Sequence, residues 1–318
     1  NKGKNMNNLK KIGLTALAAS LVTTSAFAGE MSVAGSASIG VKNTTGTNTA
    51  LGKSWTMGNQ LTFTGGGELD NGMNVSLSFI IDQADDSTTG LANSPFDSHS
   101  VTISSDALGS FKFSGEGGSS AQGAMDAGAA GDLWNNGTGV AEITGAAAGN
   151  NSMFYTLPSM VDGLEVTASM SPGKAAQETH TSYGVAYTGV EGLTVKFGQG
   201  DSGAPGAEIE STTMMASYAI GSFTVSASNT EADKTGANNR EVRSYQVAYT
   251  LSDSMSATYG TETYETVGSS TDEEIDSLGV SYTTGGMTLS ATTFDTEGAG
   301  NTAGAKTERW ALGLSFAF

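Results

Sequence analysis

The 318-residue chain contains no cysteine, only 4 prolines, and 14 lysine and arginine residues against 32 aspartate and glutamate residues. The lack of cysteine excludes disulfide scaffolds, iron–sulfur clusters and thiol enzymes. Apolar runs of about 20 residues are also missing, which excludes an oily helical membrane protein. Because the net charge is −18, the chain would repel phosphate backbones, so we expect no nucleic acid among its partners.

The beginning of the chain has the features of an export signal. Lys10 and Lys11 precede an apolar run at 12–22, and small residues follow up to Ala28. This order is typical of a secretory signal peptide cleaved near Ala28, and the apolar run is too short to span a bilayer as a helix. We therefore predict a non-native or upstream extension at 1–5, a signal peptide at 6–28 and a single domain at 29–318.

The remaining sequence alternates between apolar residues and small or polar residues. Between Trp310 and Phe318, for example, every second residue is Trp, Leu or Phe. A period of two is typical of β-strands with one apolar face. It predicts sixteen strands, near residues 31–42, 58–68, 73–82, 98–104, 109–115, 151–157, 163–171, 180–188, 191–199, 210–219, 221–229, 241–250, 254–263, 273–283, 286–295 and 307–318.

The predicted connections alternate between short turns and longer loops. The short ones contain turn residues such as Asp70-Asn71-Gly72. The long ones are predicted at 43–57, 83–97, 116–150, 172–179, 200–209, 230–240, 264–272 and 296–306. This alternation predicts an up-and-down meander with both termini on the side of the short turns.

Two architectures fit such a meander: a soluble sandwich and a transmembrane barrel. The sandwich points its apolar face into a core, whereas the barrel points it at lipid and has long loops on one side only. Aromatic residues near the strand ends also suit the interfacial girdles of a barrel. We therefore predict an all-β fold, a closed antiparallel up-and-down transmembrane β-barrel of about sixteen strands, with the soluble all-β fold as the alternative.

Several segments resemble the general porins of Gram-negative bacteria, most closely the short porins of alphaproteobacteria such as the Rhodobacter group. The similar segments are residues 31–41, 61–79, 107–113, 168–174 and 313–318. The terminal Phe318, preceded by alternating apolar residues, resembles the signal that the barrel assembly machinery reads. The resemblance implies a sixteen-stranded outer-membrane barrel, usually a homotrimer in contact with lipid and lipopolysaccharide, through which small hydrophilic solutes diffuse.

The resemblance also implies a function for the longest connection, residues 116–150, which we call the third loop. In the porins that the chain resembles, this loop folds into the barrel and narrows it. Leu133 and Trp134 are then candidate anchors against the inner wall, and the candidate constriction acids are Glu116, Asp126, Asp132 and Glu142. These acids define no ligand spacing, so we predict no cofactor, with Ca²⁺ bound by loop carboxylates as a weak alternative.

The alternation of the strands assigns further charges to the channel wall, because the opposite face is apolar. These wall charges are Lys42, Glu68, Asp82, Lys112, Lys196 and Arg309. Arg243 has the parity of lipid-facing Tyr245 and Val247, which places it at the headgroup rim or beside a bulge. Since the first four strands offer few cations to face the loop acids, we predict a weakly cation-selective general diffusion channel.

Other classes of protein have less support from the sequence. The chain has only two histidines, His99 and His180. Serines and acids are too frequent to mark a catalytic triad, so we predict no enzyme. The lack of a period of 20 to 50 residues disfavours a repetitive adhesin. The nearest alternative is a substrate-specific outer-membrane channel, followed by a barrel that acts as an adhesin or hydrolase.

Overall fold

A computed structural model describes sixteen strands that account for most of the chain. The described residues are 31–47, 52–82, 96–126, 129–135, 140, 143, 145–173, 178–236 and 239–318. The strands are β1 (Met31–Gly46), β2 (Gly52–Glu68), β3 (Asn74–Asp82), β4 (Ser98–Ser105), β5 (Gly109–Glu116), β6 (Ser152–Thr156), β7 (Leu164–Ser171), β8 (His180–Tyr187), β9 (Leu193–Ala204), β10 (Ala207–Ile220), β11 (Phe223–Lys234), β12 (Arg240–Ser252), β13 (Met255–Thr266), β14 (Glu273–Thr284), β15 (Met287–Glu297) and β16 (Lys306–Ala317). The predicted signal peptide lies outside the described residues.

Each strand pairs with its neighbours in sequence, and β1 pairs with β16 to close the barrel. All of these pairs are antiparallel, and the last residue takes part in the closure. The amide of Gly35 donates to the carbonyl of Phe318 (2.7 Å), and the amide of Phe318 donates to the carbonyl of Gly35 (3.0 Å). The predicted closed, sixteen-stranded, antiparallel barrel is thereby confirmed, and closure removes the unpaired strand edges that would otherwise be exposed.

The two faces of the barrel wall differ in side-chain chemistry as the alternation predicts. The outer face exposes large apolar side chains, among them Trp55, Met57, Tyr183, Met214, Tyr245, Val247 and Leu278. Hydroxyl side chains of the inner face are buried, for instance Ser182, Thr213 and Ser244. Apolar exposure outside and polar burial inside is the reverse of a soluble sandwich and is the arrangement of a barrel in lipid.

Several strands are longer than predicted at the end that bears the long loops. The connection predicted at 200–209 is only Pro205 and Gly206, since β9 and β10 remain paired up to Ala204 and Ala207. Those predicted at 43–57 and 230–240 are reduced to 47–51 and 235–239. Most residues of these extensions are polar or small, so the apolar alternation is weak there although the backbones continue the ladder.

The helical part of the described chain is small. A one-turn helix, α1 (Ala121–Met125), and a 3-10 helix, Leu133–Asn135, both lie in the third loop, and a second 3-10 helix, Ala299–Asn301, precedes β16. The hydroxyl of Ser120 caps α1 by accepting the amide of Gly123 (2.9 Å). None of the helices in the described ranges is long and apolar enough to cross a bilayer.

Candidate functional site

The third loop lies against the inner face of the barrel, where hydroxyl groups of the wall accept its backbone amides. The amide of Ala121 donates to Ser169 Oγ of β7 and to Ser182 Oγ of β8, both at 2.9 Å. Further along the loop, Ala129 donates to Ser228 Oγ of β11 (2.8 Å) and Ala130 to Ser244 Oγ of β12 (2.7 Å). These bonds pair buried amides of a loop that has little secondary structure of its own.

Glycines of the inner face let the loop approach the wall closely. A Cβ at Gly198 of β9 would lie 2.8 Å from the Cα of Gln122, and a Cβ at Gly184 of β8 would lie 2.7 Å from the carbonyl oxygen of Ala121. Both distances are too short for non-bonded contact, and both involve loop backbone. The helix α1 therefore rests directly on the backbone of two neighbouring strands.

Gln122 connects the two limbs of the loop to the wall. Its side chain is fully buried. Nε2 donates to Thr213 Oγ1 of β10 (2.8 Å), and Oε1 accepts the amide of Ala146 on the returning limb (2.9 Å). Loss of either hydrogen bond would leave a buried polar group unpaired, which costs about 1–3 kcal/mol. Gln122 therefore holds the two limbs of the loop at a fixed distance.

An apolar cluster joins the far end of the loop to the wall. Leu133 and Trp134, the candidate anchors, are 4% and 8% exposed and pack with wall residues including Val242, Tyr264 and Ile275. The ring centroids of Trp134 and Tyr264 lie 6.2 Å apart. The wall under this end of the loop is apolar, and burial of these side chains favours the seated loop.

A buried carboxylate holds the same end of the loop. Glu262 of β13 is 1% exposed, and its Oε1 accepts the amide of Trp134 at 2.8 Å. This bond satisfies a loop amide that is shielded from solvent. From Ser169 on β7 to the Ile275 contact on β14, the loop is therefore attached along eight consecutive strands, half of the barrel.

Two of the four predicted constriction acids line one cavity. Asp126 and Asp132 face a cavity of about 330 Å³ that is enclosed by the two limbs of the loop. Asp126 Oδ1 accepts the hydroxyl of Thr230 on β11 (2.9 Å). Glu116, at the end of β5, is not among its lining residues and lies 3.9 Å from His99 Nδ1. Glu142 lies outside the described residues.

Burial raises the pKa of the Asp126 carboxyl above its ordinary value. Hydrogen bonds from Thr230, Gln122 and Thr213 act in the opposite direction but do not offset the loss of solvent. Asp126 will therefore take up a proton at a higher pH than an exposed aspartate does.

The six predicted wall charges all lie on the inner face but not at one position. Lys42 of β1 and Arg309 of β16 form one group, because Arg309 pairs with Thr44, two residues along β1. Arg309 also lies 5.2 Å from the ring centroid of Phe294. The remaining four alternate with outward-facing apolar residues of their own strands: Glu68, Asp82, Lys112 and Lys196.

Lys112 and Lys196 do not share a ladder row. The register runs from Lys112 through Phe154 to Ser169, Ser182 and Gly200, which is four residues along β9 from Lys196. Within the described part of the chain, no group of three or more His, Cys, Asp or Glu side chains is close enough to hold a metal ion.

Comparisons with known proteins agree with this geometry. The family model of Gram-negative porins matches residues 13–273. Among solved structures, the anion-selective porin of Comamonas acidovorans has 14% identity and a TM-score of 0.65, with 91% of this chain and 99% of that one covered. OmpF of Salmonella typhi, in complex with daunomycin, has 13% identity and a TM-score of 0.67, with 92% and 98% covered. OmpT of Vibrio cholerae has 16% identity and a TM-score of 0.66, with 92% and 98% covered. No curated protein sequence matches the chain.

A closed sixteen-stranded barrel with an apolar outer face and a polar inner face defines the class of transmembrane β-barrel channels. The low identities of the solved structures establish the fold alone. The family match spans most of the chain, however. The chain belongs to the family of Gram-negative porins, and it is an outer-membrane porin.

Sequence reasoning did not identify several residues that hold the loop. It missed Gln122, Glu262 and the hydroxyl groups of Ser169, Ser182, Ser228 and Ser244. The one available signal was the row of glycines on the inner parity of β8 and β9, Gly184, Gly198 and Gly200, where the wall is unusually thin. Such a row indicates close approach by another backbone.

Proposed function

We propose that this porin is a weakly cation-selective general diffusion channel for small hydrophilic solutes, that it forms a homotrimer and that it has no enzymatic activity. The observation that carries this proposal is the attachment of the third loop along β7 to β14, which reduces the open cross-section of the barrel. The open space then lies between the loop and the inner wall of the remaining strands. That wall carries Lys42, Lys112 and Arg309 together with Glu68 and Asp82.

The charges of the loop support the preference for cations. Residues 117–150 contain three carboxylates, at 126, 132 and 142, and no lysine or arginine. The carboxylates of Asp126 and Asp132 line the cavity of the loop. A channel whose narrow part carries net negative charge raises the local concentration of cations. We also propose that the chain belongs to the alphaproteobacterial subgroup of these porins, because of the five similar segments named above.

Single-channel recording in a planar bilayer with a KCl gradient tests the proposal. We expect ohmic openings that occur in groups of three, because each protomer of a trimer conducts separately, and a reversal potential on the cation side. Openings in threes with an anion-side potential would contradict the selectivity alone. A folded protein without conductance would contradict the channel and favour an adhesin or a hydrolase.

The cation preference is expected to decrease on acidification at a pH above the ordinary aspartate range. Burial raises the pKa of Asp126, so this carboxylate loses its charge earlier than an exposed one as the pH falls. The measurement is the reversal potential between about pH 7 and about pH 3, which brackets the ordinary aspartate pKa of about 3.9.

The matched variants for this titration are Asp126→Asn and Asp70→Asn. Asp126→Asn should lower the cation preference at neutral pH and remove the early part of the change. Asp70 lies in the short turn between β2 and β3, away from the third loop. The reversal potential of Asp70→Asn should therefore change with pH as that of the unmodified protein does. An unchanged profile in Asp126→Asn would show that this carboxylate does not control the current.

A further inference from the structure

The connection between β15 and β16, residues 298–305, folds over the inner wall of the barrel, and we call it the eighth loop. The amide of Gly300 in this loop donates to Glu273 Oε2 of β14 at 2.7 Å. Glu273 shares the inner parity of Ile275, which packs with the third loop, and its side chain is fully buried. The inner wall therefore holds a second loop beside the third.

Asn301 carries the eighth loop one strand further, to β13. Its Nδ2 donates to the carbonyl oxygens of Tyr264 (3.3 Å) and Thr271 (3.2 Å), and its Oδ1 accepts the hydroxyl of Thr266 (2.9 Å). The backbone of Asn301 is left-handed (φ 52°), a conformation that asparagine adopts more readily than most residues. The loop leaves β15 and returns to β16, but in between it lies across β14 and β13.

The start of the eighth loop turns towards the wall. Gly298 has a left-handed backbone (φ 65°), and a Cβ there would collide with the carbonyl oxygen of Asp272 in the connection between β13 and β14. The next residue, Ala299, is fully buried, whereas Ala303 is exposed. The first half of the loop is thus packed against the wall, and the second half faces solvent.

The eighth loop and the third loop meet at Tyr264 of β13. The ring of Tyr264 lies beside that of Trp134 in the third loop, and its carbonyl accepts the amide of Asn301. Tyr264 also pairs with Glu273 in the ladder of β13 with β14. The third loop is attached along β7 to β14, and the eighth loop extends from β16 to β13. The part of the mouth that these two loops leave is the side of β1 to β4.

We propose that the eighth loop is a second constriction element of the porin, that it directs solutes to the side of β1 to β4, and that Glu273 is the positioning residue that holds it inward. This inference rests on the proposed channel function. Without the carboxyl group of Glu273, the amide of Gly300 would lose its partner at the wall and would pair with water instead. That exchange favours an outward position of the loop and a wider mouth.

Thiol accessibility measures the position of the loop independently of conduction. Because the chain has no cysteine, Ala299→Cys and Ala303→Cys each introduce a single thiol into the eighth loop. In the folded full-length porin, we expect Ala299→Cys to react with a membrane-impermeant methanethiosulfonate severalfold more slowly than Ala303→Cys, since Ala299 is buried. Equal rates would show that the loop is not held inward and would overturn the proposal.

Substitutions at Glu273 test its role in the same assay. Glu273→Ala should raise the reaction rate of Ala299→Cys severalfold, whereas Glu273→Gln retains an acceptor oxygen and should leave the rate low. Glu274→Ala is the matched control, because it removes a carboxyl group one residue away on the exposed outer face. Folding is verified by heat modifiability. An unchanged rate in Glu273→Ala, or an equal increase in Glu274→Ala, would overturn the role of Glu273.

Single-channel recording of the same variants tests the constriction. We expect Glu273→Ala to conduct more than the unmodified porin, and Glu273→Gln and Glu274→Ala to conduct as it does. A faster thiol reaction in Glu273→Ala without a rise in conductance would overturn the constriction, although the loop had moved. Absence of conductance from every variant, with the thiol rates as expected, would contradict the channel function and the constriction together.

Discussion

Substitution of Gly198 by valine is expected to displace the third loop and to raise the single-channel conductance severalfold. The new Cβ would lie 2.8 Å from the Cα of Gln122 and 3.0 Å from its carbonyl oxygen. Backbone atoms of α1 cannot move aside as a side-chain terminus can, so the whole segment must lift. That movement also breaks the bond from Gln122 Nε2 to Thr213, which connects the limbs of the loop to β10.

Gly313→Val is the matched control for this substitution. Gly313 also lies on the inner face, but a Cβ there meets only Ser290 Oγ, at 2.7 Å, a hydroxyl that can rotate away. Its added methyl groups narrow the lumen slightly, so the conductance should fall or stay unchanged. If Gly198→Val conducts like the unmodified porin, the third loop does not set the limiting cross-section.

Glu262 attaches the other end of the third loop to the wall. Its carboxylate holds the amide of Trp134 on β13, four strands away from Gly198 on β9. The seat on β8 and β9 and the anchor on β13 therefore restrain different ends of one loop. Because each end is attached by several interactions, displacement of α1 alone is expected to widen the channel without releasing the Trp134 end.

The strands were predictable because lipid imposes a simple chemical rule on them. Each outward side chain within the apolar band must be apolar, so Val247 and its neighbours on β12 alternate visibly with Gln246 and Ala248. Beyond the band this rule ends. The extensions of β9 and β10 up to Ala204 and Ala207 contain mostly polar or small residues, and the sequence pattern therefore predicted a loop where the ladder continues.

The attachment of the loop was much less predictable than its position in the chain. Serine and threonine occupy the inner parity of nearly every strand, so the particular hydroxyls that accept loop amides, such as Ser182 and Ser244, resemble those that line the channel. Only the register brings them to the loop. Likewise, Asp126 and Asp132 meet in one cavity because of the path of the backbone between them, which residue types do not specify.

The largest loss of stability is expected from a lysine at Val247 of the outer face. Val247 lies opposite Val225 of β11 and Tyr259 of β13, in the apolar band and four residues along β12 from Arg243, with Tyr245 between them on the outer face. A lysine near the midplane of the lipid-facing surface costs about 2–4 kcal/mol, because the ammonium loses its hydration. The expected result is a decrease of this size in the free energy of unfolding from bilayers, measured by urea titration.

Gln246→Lys places the same ammonium one residue away on the inner face, and the change in side-chain size is small. There the lysine reaches water in the lumen, so the free energy of unfolding should change by less than about 1 kcal/mol, as for most solvated surface substitutions. The difference between the two variants depends only on which face of β12 meets lipid. Equal losses would mean that both faces of β12 are shielded from water, whereas a larger loss for Gln246→Lys would mean that the face of Gln246, and not that of Val247, lies in the apolar environment.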